Sequence, residues 1–349
     1  GNQSSNQDKS KVLESQVASK PSGLIAFCSK HANDITIADT VTEERFVTFQ
    51  GASLQFTDNL WTRLKEIPST QLLCSLQHSR RKSAKLKIFD LSYSNVKEIY
   101  STEEIIGTTG NGFIAHNSKR NLLGVIPVGG SISYHLISLD PSRPYRGAFN
   151  KLPRKSKWHS QRPKNNCISD LDFDMEGKRV ATIDVSGLCL ISDVDTNAYL
   201  SHLQIQTISS LFNNCRWISE SLLFIKSNMK HLNIHDVEKN VLVLQSPINL
   251  DAHVTYSVDI CPTNNNLLAI VGSDRNIKIA DRREAKIVKI INPKHSDDIN
   301  SVQWSADGGQ LITACDDATV KLTDFNTSKI LGALLTTDGK SAMSACRIQ

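Results

Sequence analysis

The chain has 349 residues, 39% of them hydrophobic and 21% charged, with a formal net charge of +5. That balance excludes disorder throughout, and no apolar run approaches the roughly 18 residues that a membrane-spanning helix needs. The net charge alone is too small to imply a nucleic-acid partner, and the length sets a loose prior of about two domains.

The opening GNQSSNQDKSKVLES is polar and holds no secretory signal. If Gly1 follows a removed initiator Met, the start fits N-myristoylation, with Ser5 at the favoured later position, so Gly1 is a lipidation candidate. One myristoyl chain binds membrane only marginally, on the order of 10⁴ M⁻¹, and needs a second signal. Residues 1–11 read as a flexible polar tail and 12–349 as one folded domain.

Short β-rich runs then follow in chain order: LIAFCS (24–29), DITIAD (34–39), RFVTFQ (45–50), QLLCSLQ (71–77), KLKIFDL (85–91), LLGVIPV (122–128) and RVATIDV (179–185). They continue with LCLISDV (188–194), SLLFIKS (221–227), HLNIHDV (231–237), LLAIVGS (267–273), NIKIADR (276–282), QLITACD (310–316) and TVKLTDF (319–325). No stretch keeps a 3.6-residue apolar period for twelve residues, so the fold class is all-β. A strand closing on Asp recurs at Asp39, Asp90, Asp140, Asp193, Asp236, Asp281 and Asp324, at intervals of 51, 50, 53, 43, 45 and 43 residues. A period of 40–50 residues with about four strands per unit is that of a β-propeller, and seven aspartates predict seven blades. Either 12–23 or the tail 341–349 would supply the strand that joins the first and last blades and removes an exposed edge.

Two repeats carry a family resemblance. Residues 295–325 hold His295 before the first strand, a W-S-x-D-G turn (Trp304, Ser305, Asp307, Gly308) and Asp317 before the third strand. Residues 253–283 hold His253 and Asp274 in the matching places. The chain resembles WD-repeat β-propellers, over about residues 15–340. The resemblance implies that His253 with Asp274, and His295 with Asp317, form structural hydrogen-bonded pairs. The family's Trp before the closing Asp is absent; Ala38, Phe89, Leu139, Ser192, His235, Ala280 and Thr323 stand there.

Residues 143–166 depart from the repeat. They carry Arg143, Arg146, Lys151, Arg154, Lys155, Lys157, Arg162 and Lys164, with no acid, so the rest of a +5 chain is net −3. Tyr145 and Trp158 interleave the charges, and Pro144, Pro153 and Pro163 oppose regular structure. The segment reads either as a solvated inter-blade loop or as a site for a polyanion, meaning nucleic acid or anionic membrane. In the second case it would also supply the second membrane signal for an acylated Gly1.

The eight cysteines are spread singly, with no Cys-x-x-Cys, which predicts a reducing compartment, cytoplasm or nucleus. No motif for nucleophilic, metal or phosphate chemistry is present; GTTGNG (107–112) lacks the Lys-Ser/Thr of a phosphate loop. The expectation is a non-enzyme without cofactor or metal, monomeric within a complex of protein partners. LAIVGSDRNIKIADRR (268–283) resembles the box by which propeller substrate receptors dock on the adaptor of cullin-type ubiquitin ligases. Asp274, Ile277, Lys278, Ile279, Asp281 and Arg283 match it, and Ala280 replaces its Trp. The resemblance makes Asp281 and Arg283 the adaptor-docking candidates, with Asp281 orienting the Arg283 guanidinium.

Overall fold

The structure is a computed structural model that describes residues 24–29, 34–39, 42, 45–50, 59–67, 72–79, 83–91, 96–101, 105–106, 113–126, 135–138, 168–196, 198–205, 214–226, 232–246, 254–336 and 338–347. Every regular element among them is a β-strand. No helix is long and apolar enough to cross a membrane.

The strands form seven antiparallel sheets in chain order. Sheet 1 holds β1 (Leu24–Ser29), β2 (Asp34–Asp39), β3 (Arg45–Gln50) and the C-terminal strand β28 (Ala342–Arg347). Sheet 2 holds β4 (Asn59–Ile67), β5 (Leu72–Ser79), β6 (Ser83–Asp90) and β7 (Lys97–Ser101), with β8 (Ile105–Ile106) added beside β6. Sheet 3 has three strands among the described residues: β9 (Phe113–Asn117), β10 (Leu122–Ile126) and β11 (His135–Ser138). Sheet 4 comprises β12 (Ile168–Phe173), β13 (Arg179–Asp184), β14 (Leu188–Asp193) and β15 (Tyr199–Gln204). Sheet 5 comprises β16 (Asn214–Trp217), β17 (Leu222–Lys226), β18 (Leu232–Asp236) and β19 (Val241–Ser246). Sheet 6 comprises β20 (Thr255–Ile260), β21 (Leu267–Gly272), β22 (Ile277–Asp281) and β23 (Lys286–Ile291). Sheet 7 comprises β24 (Ile299–Trp304), β25 (Gln310–Cys315), β26 (Thr319–Asp324) and β27 (Ile330–Leu335).

The core lies between sheets rather than within them. Ala181, Ile183 and Ile191 of sheet 4 pack on Cys215, Trp217 and Leu223 of sheet 5. Phe224 and Ile234 of sheet 5 meet Val258 and Ile270 of sheet 6, and Ile279 and Ile277 of sheet 6 meet Trp304 and Leu311 of sheet 7. Ile312 and Leu322 of sheet 7 meet Ile25 and Phe27 of sheet 1. A strand flanked by sheets on both faces loses the in–out alternation of a half-exposed one, which is why LLFIK and IKIAD are buried almost end to end. The fourth strands are edges; in β23 exposure alternates and Lys286 stands exposed, a charged edge that discourages further pairing.

The repeated Asp closes the third strand of its sheet at Asp39, Asp90, Asp193, Asp236, Asp281 and Asp324; Asp140 lies outside the described residues. Its carboxylate accepts N–H groups two or three residues on: Thr42 at 3.2 Å, Thr196 at 2.7 Å, Lys239 at 3.0 Å, Arg283 at 2.8 Å and Thr327 at 2.6 Å. The recurring residue is thus an Asx turn that starts each return into the fourth strand. Of the two terminal segments, 341–349 provides a strand: β28 pairs with β1 from Ile25–Arg347 to Ser29–Ala342. Residues 12–23 lie outside the described residues. The first strand of each sheet packs on the first strand of the next: β28 on β4, then β9, β12, β16, β20, β24, and β24 on β28. This all-β succession of antiparallel sheets is consistent with a β-propeller.

Candidate functional site

The β22–β23 turn presents the charged pair. Asp281 is buried at the strand end, and its Oδ1 accepts the Arg283 N–H at 2.8 Å and Nε at 3.1 Å. Nη2 of Arg283 donates to Asp281 Oδ2 at 2.6 Å, completing a two-point fork. The Arg283 side chain is 60% exposed, against 5% for Asp281. The Arg283 hydrogen bonds hold the Asp281 carboxyl below the usual carboxylate range. The result is a largely exposed guanidinium fixed by two bonds at the β22–β23 turn, with no acceptor on Nη1 among the described residues. A planar fork of this kind suits a carbonyl or carboxylate on a partner. Ala280, in the family's Trp position, is fully buried beneath it.

The His–Asp positions of sheet 7 form a closed network. His295 Nδ1 lies 3.0 Å from Asp317 Oδ2, and Nε2 lies 2.8 Å from the Thr313 hydroxyl. Burial alone would raise Asp317, but the Thr319 hydroxyl, the Ser296 N–H and His295 hold it well below the carboxylate range. Burial also lowers His295, keeping the imidazole neutral near pH 7. The Cys315 Sγ joins them, with all three ligand-type atoms within 4.8 Å of one another. Burial pushes that thiol up to about 12. Cys315 already contacts Asp297 O at 3.1 Å and the Asp317 N–H at 3.3 Å. A protonated thiol and an imidazole engaged at both nitrogens make this a structural network rather than a ligand set. In sheet 6, Asp274 carries an ion pair with Lys278 at 2.7 Å; His253 lies outside the described residues. The W-S-x-D-G turn is braced by Ser305 Oγ on Asp307 at 2.5 Å. Gly308 there has φ +67, and a Cβ on it would stand 2.3 Å from Thr263 Oγ1.

Where the family carries Trp, two buried polar atoms are left over. Thr323 Oγ1 and His235 Nε2 have no hydrogen-bond partner among the described residues. Thr323 is fully buried, and a buried polar group without a partner costs about 1–3 kcal/mol. Thr323→Val keeps the shape and removes the hydroxyl. It is expected to raise stability by about 1 kcal/mol, read as a higher denaturation midpoint; an unchanged or lower midpoint would contradict the assignment.

Sequence reasoning missed the polar residues of the first strands. Asp170 of β12 accepts Arg216 Nη1 at 2.5 Å, Asn214 Nδ2 at 3.1 Å and the Cys215 N–H at 3.2 Å, all from β16. Burial raises its carboxyl. Lys226, 1% exposed, donates to the Thr255 carbonyl of the next sheet. Asp170, Asn214 and Arg216 break the apolar pattern that marks a strand, whereas Lys226 falls in the run SLLFIKS of a second strand, which does not show that its ammonium is buried.

The basic segment with Arg143, Arg146, Lys151, Arg154, Lys155, Lys157, Trp158, Arg162 and Lys164 lies outside the described residues, as do Gly1 and 107–112. Cys28, Cys74, Cys189, Cys215, Cys261 and Cys315 are buried, and none of them is in a disulfide.

Residues 258–346 match a family model described as the anaphase-promoting complex subunit 4 WD40 domain. No curated protein matches the chain. The family match, over sheets 6 and 7 and the C-terminal strand, supports a WD-repeat assignment.

Proposed function

From that WD-repeat assignment we propose that the chain is a single seven-bladed, closed propeller and a non-catalytic scaffold that holds protein partners. The seven sheets and the unbroken succession of first-strand contacts support the ring. The matched family takes its name from a subunit of a multi-subunit complex, which favours a role inside an assembly. Docking runs through the rim of sheet 6 onto the adaptor of a cullin-type ubiquitin ligase, making the chain a substrate receptor. The observation that carries this is the Arg283 guanidinium, locked by Asp281 and largely exposed. A hydrogen bond to a charged group contributes about 1.5–3 kcal/mol. Arg283→Ala is therefore expected to reduce adaptor capture in a pull-down about tenfold or more, with the fold retained and only a modest fall in melting temperature, because Asp281 keeps the backbone N–H of residue 283. A wild-type chain that captures no adaptor would end the receptor reading. Equal capture by both would move the docking away from this Arg.

A further inference from the structure

The first strands of sheets 4 and 5, and those of sheets 6 and 7, are laced by paired rungs. From sheet 4 to sheet 5, the Cys215 N–H donates to Asp170 Oδ2 at 3.2 Å and the Trp217 N–H to Asp172 Oδ2 at 2.9 Å. From sheet 6 to sheet 7, the Val302 N–H donates to Ser257 Oγ at 3.4 Å and the Trp304 N–H to Asp259 Oδ2 at 2.8 Å. Each of these first strands ends with the same backbone bond one residue beyond it: Asp174 to Arg179, Ile218 to Leu222, Cys261 to Leu267 and Ser305 to Gln310. Counting back from that bond, Asn214 and Arg216 of β16 stand where Asp170 and Asp172 stand in β12, and Ser257 and Asp259 in β20.

Between sheets 5 and 6 neither rung is made. The expected donors are the N–H groups of Val258 and Ile260. The Cys261 N–H is directed to β21, so strand alternation turns these two out of the sheet. Neither has an acceptor among the described residues. Arg216 is a donor only. Its Nη1 is held by Asp170 Oδ2 and by the Cys215 carbonyl at 2.6 Å, while Nε and Nη2 have no acceptor among the described residues and the side chain is 23% exposed. Asn214 is 2% exposed, its Nδ2 fixed on Asp170, and its Oδ1 has no partner among the described residues. β16 and β20 are also the least closely packed neighbours among the first strands.

The seam therefore offers several open donors and one open acceptor. Of its two cationic side chains, Lys226 is engaged by the Thr255 carbonyl, and Arg216 is already surrounded: Asp170, Asp172 and Asp259 all act on it. An added carboxylate would meet those three acids and leave Asn214 Oδ1 unanswered. A carboxamide answers both sides without charge, its oxygen accepting and its NH₂ donating. Resting on the scaffold reading, we propose that the seam between β16 and β20 receives an Asn or Gln side chain of a partner protein. The amide oxygen accepts from Arg216 and the Ile260 N–H, and the amide nitrogen donates to Asn214 Oδ1.

The test is an amide NMR titration of the full chain with two probes, acetyl-Ala-Gln-Ala-amide and acetyl-Ala-Glu-Ala-amide. Their main chains are identical, so the difference isolates the side chain. The Gln peptide is expected to shift the Ile260 N–H to saturation and the Glu peptide to bind more weakly. Arg216→Gln should weaken the Gln peptide about tenfold, and Asn214→Ala several-fold, as lost hydrogen bonds of charged and neutral type predict. The wild-type comparison stands whether or not a variant folds. No shift at Ile260, or equal or tighter binding of the Glu peptide, overturns the proposal. A chain that shows the Gln-peptide shift but captures no partner protein counts against the scaffold reading alone. A chain that captures partners without that shift overturns the seam alone.

Discussion

Gly272→Ala is expected to destabilise sheets 6 and 7 by about 3 kcal/mol or more, beyond the usual range for one added methyl in a core. A Cβ on Gly272 would stand 1.9 Å from the Val254 carbonyl oxygen and 2.9 Å from Thr255 Cα. Both are backbone atoms, so no rotamer change relieves the overlap. The same carbonyl accepts the Ser273 N–H at 2.9 Å. Thr255 opens β20 at a point where the register with β21 shifts by one residue. Moving the carbonyl away would break that bond and displace β20, whose Asp259 holds the Trp304 N–H of sheet 7. Gly309→Ala is the control. Its Cβ would meet nothing nearer than 3.5 Å, and it should melt with the wild type. Equal midpoints for Gly272→Ala and wild type in chemical denaturation would show that the β20–β21 junction yields.

The difference between these glycines has no sequence signature, and neither has much of the site. What the sequence shows is set by burial. The second and third strands, such as LLAIVGS and NIKIADR, are covered on both faces and stand out as apolar runs. The closing aspartates stand out because each starts an Asx turn, a local requirement. The first strands do not. In β12 and β16 the residues Asp170, Asp172, Asn214 and Arg216 are polar because they bond to the next sheet, so ISDLDF and NCRW read as turn. Most fourth strands are lost for another reason: KIVKII is an edge with exposed Lys286, and its half-exposed pattern is weak, whereas RFVTFQ, the fourth strand of sheet 1, was legible. At the rim, Asp281 and Arg283 were legible because their geometry is local, two residues apart. In sheet 7 the WD-repeat resemblance pointed to His295 and Asp317, but not to Thr313 and Cys315, which reach the imidazole and carboxylate only once β24 and β25 pair.

Lys226→Met is expected to stabilise the protein most at acid pH, with the advantage fading as pH rises. Lys226 closes β17 opposite Asn214, and is buried with its Nζ on the Thr255 carbonyl. Burial pushes its ammonium down to about 7, and the attraction of Asp170 offsets only part of that. In the unfolded chain the same group titrates near about 10.4. Between these values the unfolded state binds a proton that the folded state lacks, so stability rises with pH across this window. Below about pH 7 both states are charged and the folded state bears the whole cost of a buried ammonium, on the order of 4 kcal/mol. Methionine fills the same volume without charge, and loses one hydrogen bond to Thr255 worth about 1 kcal/mol. The net gain should therefore be clear at about pH 6 and vanish or reverse by about pH 10. Urea denaturation of both proteins across that range reads it directly. A difference that stays constant with pH would mean that Lys226 keeps its ordinary charge in the folded protein, through contacts stronger than the Thr255 carbonyl and Asp170.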